Sequence, residues 1–180
     1  MALVLSGLAF CISMLCVLIG SCFWPGGPTE YRTRHGIRVF GEKRVIERQY
    51  VEMATHAVIN ESRLADSRYT AQRLSQLKHC SIEFVDGPFP CGYIPTGKCT
   101  GVFYPHDCRM IVALDNNDKC GSSSPLVHEQ IHAVNSLVDG VVSHGSPTWF
   151  YGPQSVLSKA NNTLREYCEN GSNGNDSEND

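Results

Sequence analysis

Six of the nine cysteines in this chain of 180 residues lie between residues 80 and 168, and they limit the folds available to it. These six are Cys80, Cys91, Cys99, Cys108, Cys120 and Cys168. An even number of cysteines at this density is typical of exported domains, where up to three disulfides can form among them. None of the six belongs to a C-x-x-C pair, the spacing found in zinc ribbons. A disulfide-linked fold is therefore favoured over a cysteine-based zinc module.

The amino-terminal segment predicts export. From Ala2 to Trp24 the chain has no charged residue and is mostly apolar, and a Pro/Gly break at residues 25–28 follows. A cleaved secretory signal, a lipoprotein signal with a lipid on Cys22, and an uncleaved membrane anchor all remain open. Residues 18–22 resemble a lipobox, although no Lys or Arg precedes the apolar stretch. All three interpretations place the rest of the chain outside the cytoplasm, in the cell envelope or secreted.

Composition favours a folded domain and argues against nucleic acid as a partner. The chain is 42% hydrophobic and has a formal net charge of −3, from 15 Lys+Arg and 18 Asp+Glu. A general polyanion binder should be visibly basic. The last eleven residues have no apolar side chain, which predicts disorder. The expected organisation is a signal peptide over 1–21, a linker or tether over 22–41, a folded domain over 42–169 and a disordered acidic tail over 170–180.

The order of elements predicts an α+β fold, with a small mixed or antiparallel sheet packed on helices and cross-linked by disulfides. Ser123 or Ser124 can cap the third helix, which has Pro125 in its first position and ends at Gly140. The expected helices cover 42–64, 68–77, 125–137 and 153–167, and the expected strands cover 81–85, 91–94, 99–104 and 110–114.

The third helix contains the pattern His-Glu-x-x-His at residues 128–132. Because residues four apart on a helix share a face, the imidazoles of His128 and His132 can bind one ion. Glu129 lies about 100° further round the helix, close enough to reach a water on that ion but poorly placed as a ligand. Three protein ligands and one water are typical of hydrolytic zinc sites, where a carboxylate accepts the proton of the activated water. We therefore expect one Zn²⁺, with Glu129 as the general base.

A hydrolytic zinc site needs a third protein ligand. His144 is the best candidate, because it follows His132 by twelve positions and the helix stop at Gly140 lets the chain turn back. A more distal carboxylate, Glu166 or Glu169, is an alternative. Asp139 would either be solvated or orient a ligand histidine.

The pentad, a spacer, and His144-Gly145 followed by an aromatic residue at 149–150 together resemble the SprT-like branch of the zincin metallopeptidases. They also resemble predicted bacterial lipoprotein metallopeptidases. The resemblance covers residues 124–151 firmly and 81–114 loosely. It implies a zincin-like fold with His128, His132 and His144 as metal ligands and Glu129 as general base. The DNA-linked role of SprT-like proteins does not carry over, because this chain has an export signal and no C-x-x-C ribbon.

These features predict an exported zinc-dependent metallopeptidase that hydrolyses peptide bonds. A peptide or protein is the expected substrate, held along an edge strand for which residues 110–114 are the candidate. The membrane is a second expected partner, through a lipid at Cys22. Two alternatives remain open: a metal amidase or hydrolase acting on cell-envelope material, and a non-catalytic envelope module braced by zinc.

Overall fold

The computed structural model describes residues 28–42, 48–92, 97–113, 123–140 and 144–172. The expected signal peptide, Cys22 and Cys120 lie outside these ranges. Within them, no helix has the length and hydropathy that crossing a membrane requires.

Seven strands and four helices make up the described part of the chain. The strands are β1 (Pro28–Arg32), β2 (Arg38–Glu42), β3 (Ser81–Val85), β4 (Phe89–Pro90), β5 (Lys98–Cys99), β6 (Gly101–Tyr104) and β7 (Arg109–Ala113). The helices are α1 (Arg48–Ala65), α2 (Ala71–Leu74), α3 (Pro125–Asp139) and α4 (Val156–Ser172), and a 3-10 turn (Ser75–His79) follows α2.

Five strands form one mixed sheet in the order β1-β2-β3-β7-β6. The three central strands are parallel, and β1 and β6 pair antiparallel with their neighbours at the two edges. Strand register aligns one buried row across the sheet, consisting of Val39, Ile82, Met110 and Phe103. The α+β prediction is therefore confirmed, and β4 and β5 form a separate two-stranded hairpin.

Helix α3 is the central helix of the fold. It contacts β6 and β7 on the sheet side and packs against α1 and α4 as well. Its apolar side chains Leu126, Val127, Ile131 and Val134 are fully buried. Because neighbours surround α3 on several sides, its polar residues are held in a fixed orientation relative to the edge of the sheet.

Disulfides cross-link the strands, as the cysteine count predicts. Cys80–Cys108 joins the residues that precede two adjacent parallel strands, β3 and β7. Cys91–Cys99 joins the strands of the β4–β5 hairpin. Cys168 on α4 is also disulfide-bonded. These bonds indicate an oxidising, extracellular location.

The amino-terminal part of the fold differs from the sequence-based expectation. Residues 28–41, expected within a linker, form most of the β1–β2 hairpin, and Glu42 ends β2 instead of opening a helix. Helix α1 is described from Arg48 onward. Strand β2 pairs with β3, about forty residues later in the chain. Such a non-local pairing leaves little trace in the local pattern, which explains the missed strands.

Three other boundaries differ as well. The helix expected over 68–77 is only the short α2 and a 3-10 turn. Helix α4 runs to Ser172, past the expected start of the tail at residue 170, and residues 173–180 are outside the described part. The strand expected over 91–94 is replaced by β4 at Phe89–Pro90, and residues 93–94 are not among those described.

The prediction of the edge strand is wrong. Strand β7, which contains the expected residues 110–113, lies between β3 and β6 and is paired on both sides. The outer position beside it belongs to β6, because the turn at residues 105–108 returns the chain antiparallel on that side. Of the described strands, β6 is therefore the edge strand that contacts α3.

Candidate metal centre

The bounds of α3 follow from capping groups that the sequence contains. The hydroxyl oxygen of Ser124 accepts a hydrogen bond from the backbone N–H of Val127 at 3.3 Å, and Pro125 occupies the first helical position. At the other end, Gly140 has a φ of 67°, a left-handed conformation that glycine adopts without strain. The helix is therefore regular through residues 128–132, which places His128 and His132 one turn apart.

Three imidazoles converge beside this turn. The Nε2 atom of His128 lies 3.1 Å from that of His132. His144 comes from the segment after α3, and its Nε2 atom lies 2.8 Å from that of His128 and 3.2 Å from that of His132. His132 is buried, His128 is partly buried and His144 is exposed. The group is therefore accessible from the surface, through the side on which His144 lies.

The geometry of the three nitrogens fits a bound metal ion. In a tetrahedral site with Zn–N bonds near 2.05 Å, the ligand nitrogens lie about 3.3 Å apart. The distances between the three Nε2 atoms, 2.8, 3.1 and 3.2 Å, approach this separation. The three histidines could therefore hold one cation, and this group contains no fourth protein ligand among the described residues.

The protonation of the group also suits a cation. Burial, with a smaller contribution from the nearby His144, lowers the pKa of His128 to about 4. Burial likewise lowers the pKa of His132 to about 3, with His128 and His144 contributing. Both imidazoles are therefore neutral at neutral pH, which is the form that ligates a metal ion.

Glu129 lies in the same cleft as His128. Both residues border a surface cavity of about 480 Å³, and residues 98–101 form its opposite wall. The Glu129 side chain is buried, and burial raises the pKa of its carboxyl group to about 8. Gly101, the first residue of β6, lies directly over this carboxyl group: a Cβ atom there would be 2.6 Å from Oε1 of Glu129.

The alternative third ligands are not part of this group. Among the described residues, the set of side chains able to hold a metal ion consists of the three histidines alone. The Asp139 carboxylate binds Arg68 at 2.7 Å and accepts from the hydroxyl of Tyr69 at 3.1 Å. Glu169 forms a 3.9 Å ion pair with Arg165 on the same helix. The structure thus brings together His128, His132 and His144, and the assignment of these residues as ligands stays a prediction.

Phe150 contacts all three imidazoles, and the sequence analysis assigned it no role in the site. The centroid of its ring lies 5.2 Å from that of His128 and 4.8 Å from those of His132 and His144. In the sequence, the only indication of this contact is an aromatic residue six positions after His144. A linear pattern does not reveal which side chain such a residue contacts, so its place could not be predicted.

Comparisons with protein-family models, with curated proteins and with solved structures find no match to this chain. The likeness to zincin peptidases therefore depends on the motif and its spacing. The geometry of the site has to support any function on its own.

Proposed function

We propose that this protein is an exported zinc-dependent metallopeptidase. The observation that supports the proposal is the convergence of His128, His132 and His144, with Glu129 in the same cleft. A purely structural metal site closes its coordination with a fourth protein ligand. In the described part of the chain, this group has three. The disulfides support export.

Zinc is the proposed metal because three neutral imidazoles are a donor set that it commonly accepts. When held by three such ligands, zinc lowers the pKa of a water molecule toward neutrality and polarises a carbonyl group. The chain's own contribution to hydrolysis is Glu129. Burial alone favours the protonated form of this carboxyl group, whereas the charge of a cation held by the neighbouring imidazoles would favour the carboxylate. The carboxylate would accept the proton of the attacking water and pass it to the leaving amine.

The edge strand favours a peptide as the substrate. Strand β6 has a neighbour, β7, on only one side of the described sheet, and its first residue borders the cleft. An extended peptide can add to such an edge through backbone hydrogen bonds. That arrangement would place the peptide alongside β6, at the cleft that Glu129 and His128 border. No comparable feature of the described residues favours wall fragments as the substrate, so we rank a cell-envelope amidase second.

The proposal is tested with three forms of the full chain: wild type, Glu129→Gln and His144→Ala. Elemental analysis of the wild type should find about one equivalent of zinc, and casein-derived peptides should be cleaved. Glu129→Gln keeps all three imidazoles, so it should retain zinc but lose hydrolysis at least about a hundredfold, because the base is absent. His144→Ala should lose or loosen the metal.

The same experiment separates the competing functions. Zinc that is retained in Glu129→Gln with unchanged hydrolysis would exclude Glu129 as the base. Zinc in the wild type without cleavage of peptides or of wall fragments would instead support a zinc-braced envelope module. Cleavage of wall fragments alone would favour the amidase.

A further inference from the structure

The two helical imidazoles and the third imidazole differ in how their positions are determined. His128 and His132 are held by α3, whose backbone is regular and whose apolar face is buried. His144 lies on an exposed turn outside any helix or strand. A metal-binding geometry therefore requires something that fixes the turn containing His144 relative to α3.

Phe150 connects the two. Its side chain is 8% exposed, and its ring packs against all three imidazoles at centroid distances of 4.8–5.2 Å. Its backbone N–H donates to the carbonyl oxygen of Ser146 at 3.1 Å, which closes the turn that follows His144. One side chain thus contacts both ligand-bearing segments at once.

The residues next to Phe150 are anchored independently. The ring of Trp149 packs on that of Tyr69 at a centroid distance of 4.6 Å, and the Tyr69 hydroxyl lies 2.9 Å from Oδ1 of Asn135 on α3. On the carboxyl side, the backbone N–H groups of Val156 and Leu157 donate to the carbonyl oxygens of Thr148 and Trp149. The segment 148–150 is therefore fixed to both α3 and the start of α4.

We propose that Phe150 is the positioning residue of this site: its ring fixes His144 against His128 and His132, so that three nitrogens meet in the geometry that a metal ion needs. This inference rests on the proposed function for the metal alone, and it does not require that a peptide be cleaved. Substituting a residue that orients metal ligands without touching the metal typically lowers the protein's affinity for the metal by about tenfold or more.

The test measures Zn²⁺ affinity of the full chain by competition with a chelating dye, together with the visible spectrum of the Co²⁺ form. Phe150→Leu keeps an apolar side chain but removes the ring, and Phe150→Met is a second variant of similar size. The control is Tyr151→Leu, because Tyr151 is the adjacent aromatic residue and is 61% exposed. Urea unfolding in the presence of a chelator measures the stability of each metal-free form.

We expect Phe150→Leu to bind Zn²⁺ about tenfold more weakly and to change the Co²⁺ spectrum, while Tyr151→Leu does neither. If Phe150 acts through His144, Phe150→Leu should have little further effect in a His144→Ala background. Affinity and spectrum unchanged in both Phe150 variants would overturn the inference. An equal loss of affinity with and without His144 would also overturn it, since Phe150 would then act through the helix.

The outcome for the proposed function is read separately. Suppose that the wild-type chain binds Zn²⁺, that Phe150→Leu lowers the Zn²⁺ affinity, and that no peptide is cleaved. This result would contradict the peptidase and support the positioning role of Phe150. A wild-type chain that binds no Zn²⁺ would overturn both.

Discussion

Glu129 owes its place in the cleft to the absence of a side chain at Gly101. A Cβ atom at that position would lie 2.6 Å from Oε1 of Glu129 and 2.9 Å from its Cγ, both closer than real Cβ contacts. Only glycine lets the edge strand approach the buried carboxyl group this closely. The position of the proposed base thus depends on a residue that has no functional group of its own.

Gly101→Ala should therefore reduce hydrolysis and leave metal binding intact. The added methyl group displaces the Glu129 carboxylate or the start of β6, whereas the three imidazoles are untouched, so we expect a loss of kcat of about a hundredfold. Zinc content and peptide turnover measure the two effects. The matched control is Gly92→Ala, because no atom of the described residues lies within 4 Å of a Cβ atom at Gly92. Equal activity in the two variants would contradict this role for Gly101.

Helix α3 begins at a point where three helices meet. The Ser124 hydroxyl is 2.7 Å from the hydroxyl of Tyr50 on α1, and it also caps α3 through Val127. The backbone N–H of Ser124 donates to Oδ1 of Asn161 on α4 at 2.9 Å. Ser124 is fully buried, so these groups have no water as a substitute partner. The start of the histidine-bearing helix is thus fixed by one capping residue.

Ser124→Ala should lower the free energy of unfolding by about 1–2 kcal/mol, because the cap is lost and the Tyr50 hydroxyl loses a partner. Urea denaturation of the chelator-treated protein measures it. The sequence allows either Ser123 or Ser124 to cap, and Ser123 is exposed. Ser123→Ala is therefore the control, with an expected change within about 0.5 kcal/mol. A larger effect at Ser123 than at Ser124 would show that the cap is assigned wrongly.

At the scale of the whole molecule, the disulfides Cys80–Cys108 and Cys91–Cys99 differ in how far apart in sequence their cysteines lie. Cys80–Cys108 closes a loop with a sequence separation of 28 and joins neighbouring parallel strands. Cys91–Cys99 has a separation of 8 and joins a local hairpin that borders the cleft. A cross-link restricts the unfolded chain more when its loop is longer, so the two bonds should contribute unequally to stability.

Removing each bond by paired Cys→Ala substitution tests this difference. Chain entropy predicts losses of about 3.5 kcal/mol for Cys80–Cys108 and about 2.5 kcal/mol for Cys91–Cys99. Cys80 and Cys91 are both buried, so lost packing adds to both losses. Urea denaturation of the two double variants gives the comparison, and peptide mapping without reduction confirms the pairing. A greater loss on removing the hairpin bond would contradict the entropic account.

The sequence by itself determined α3, its caps, and the His-Glu-x-x-His turn on it, because helix periodicity and capping are local properties of the chain. It also predicted a cross-linked α+β domain from the cysteines and the order of elements. The pairing of β2 with β3 and the edge position of β6 were decided by contacts between residues distant in sequence. The sequence named His144 as the best candidate for the third ligand but left Glu166 and Glu169 open. The meeting of His144 with the helical pair depends on such distant contacts, as does the packing of Phe150 against all three rings. Local sequence patterns do not determine these contacts, because the contacts form only when the sheet, α3 and α4 enclose a common core.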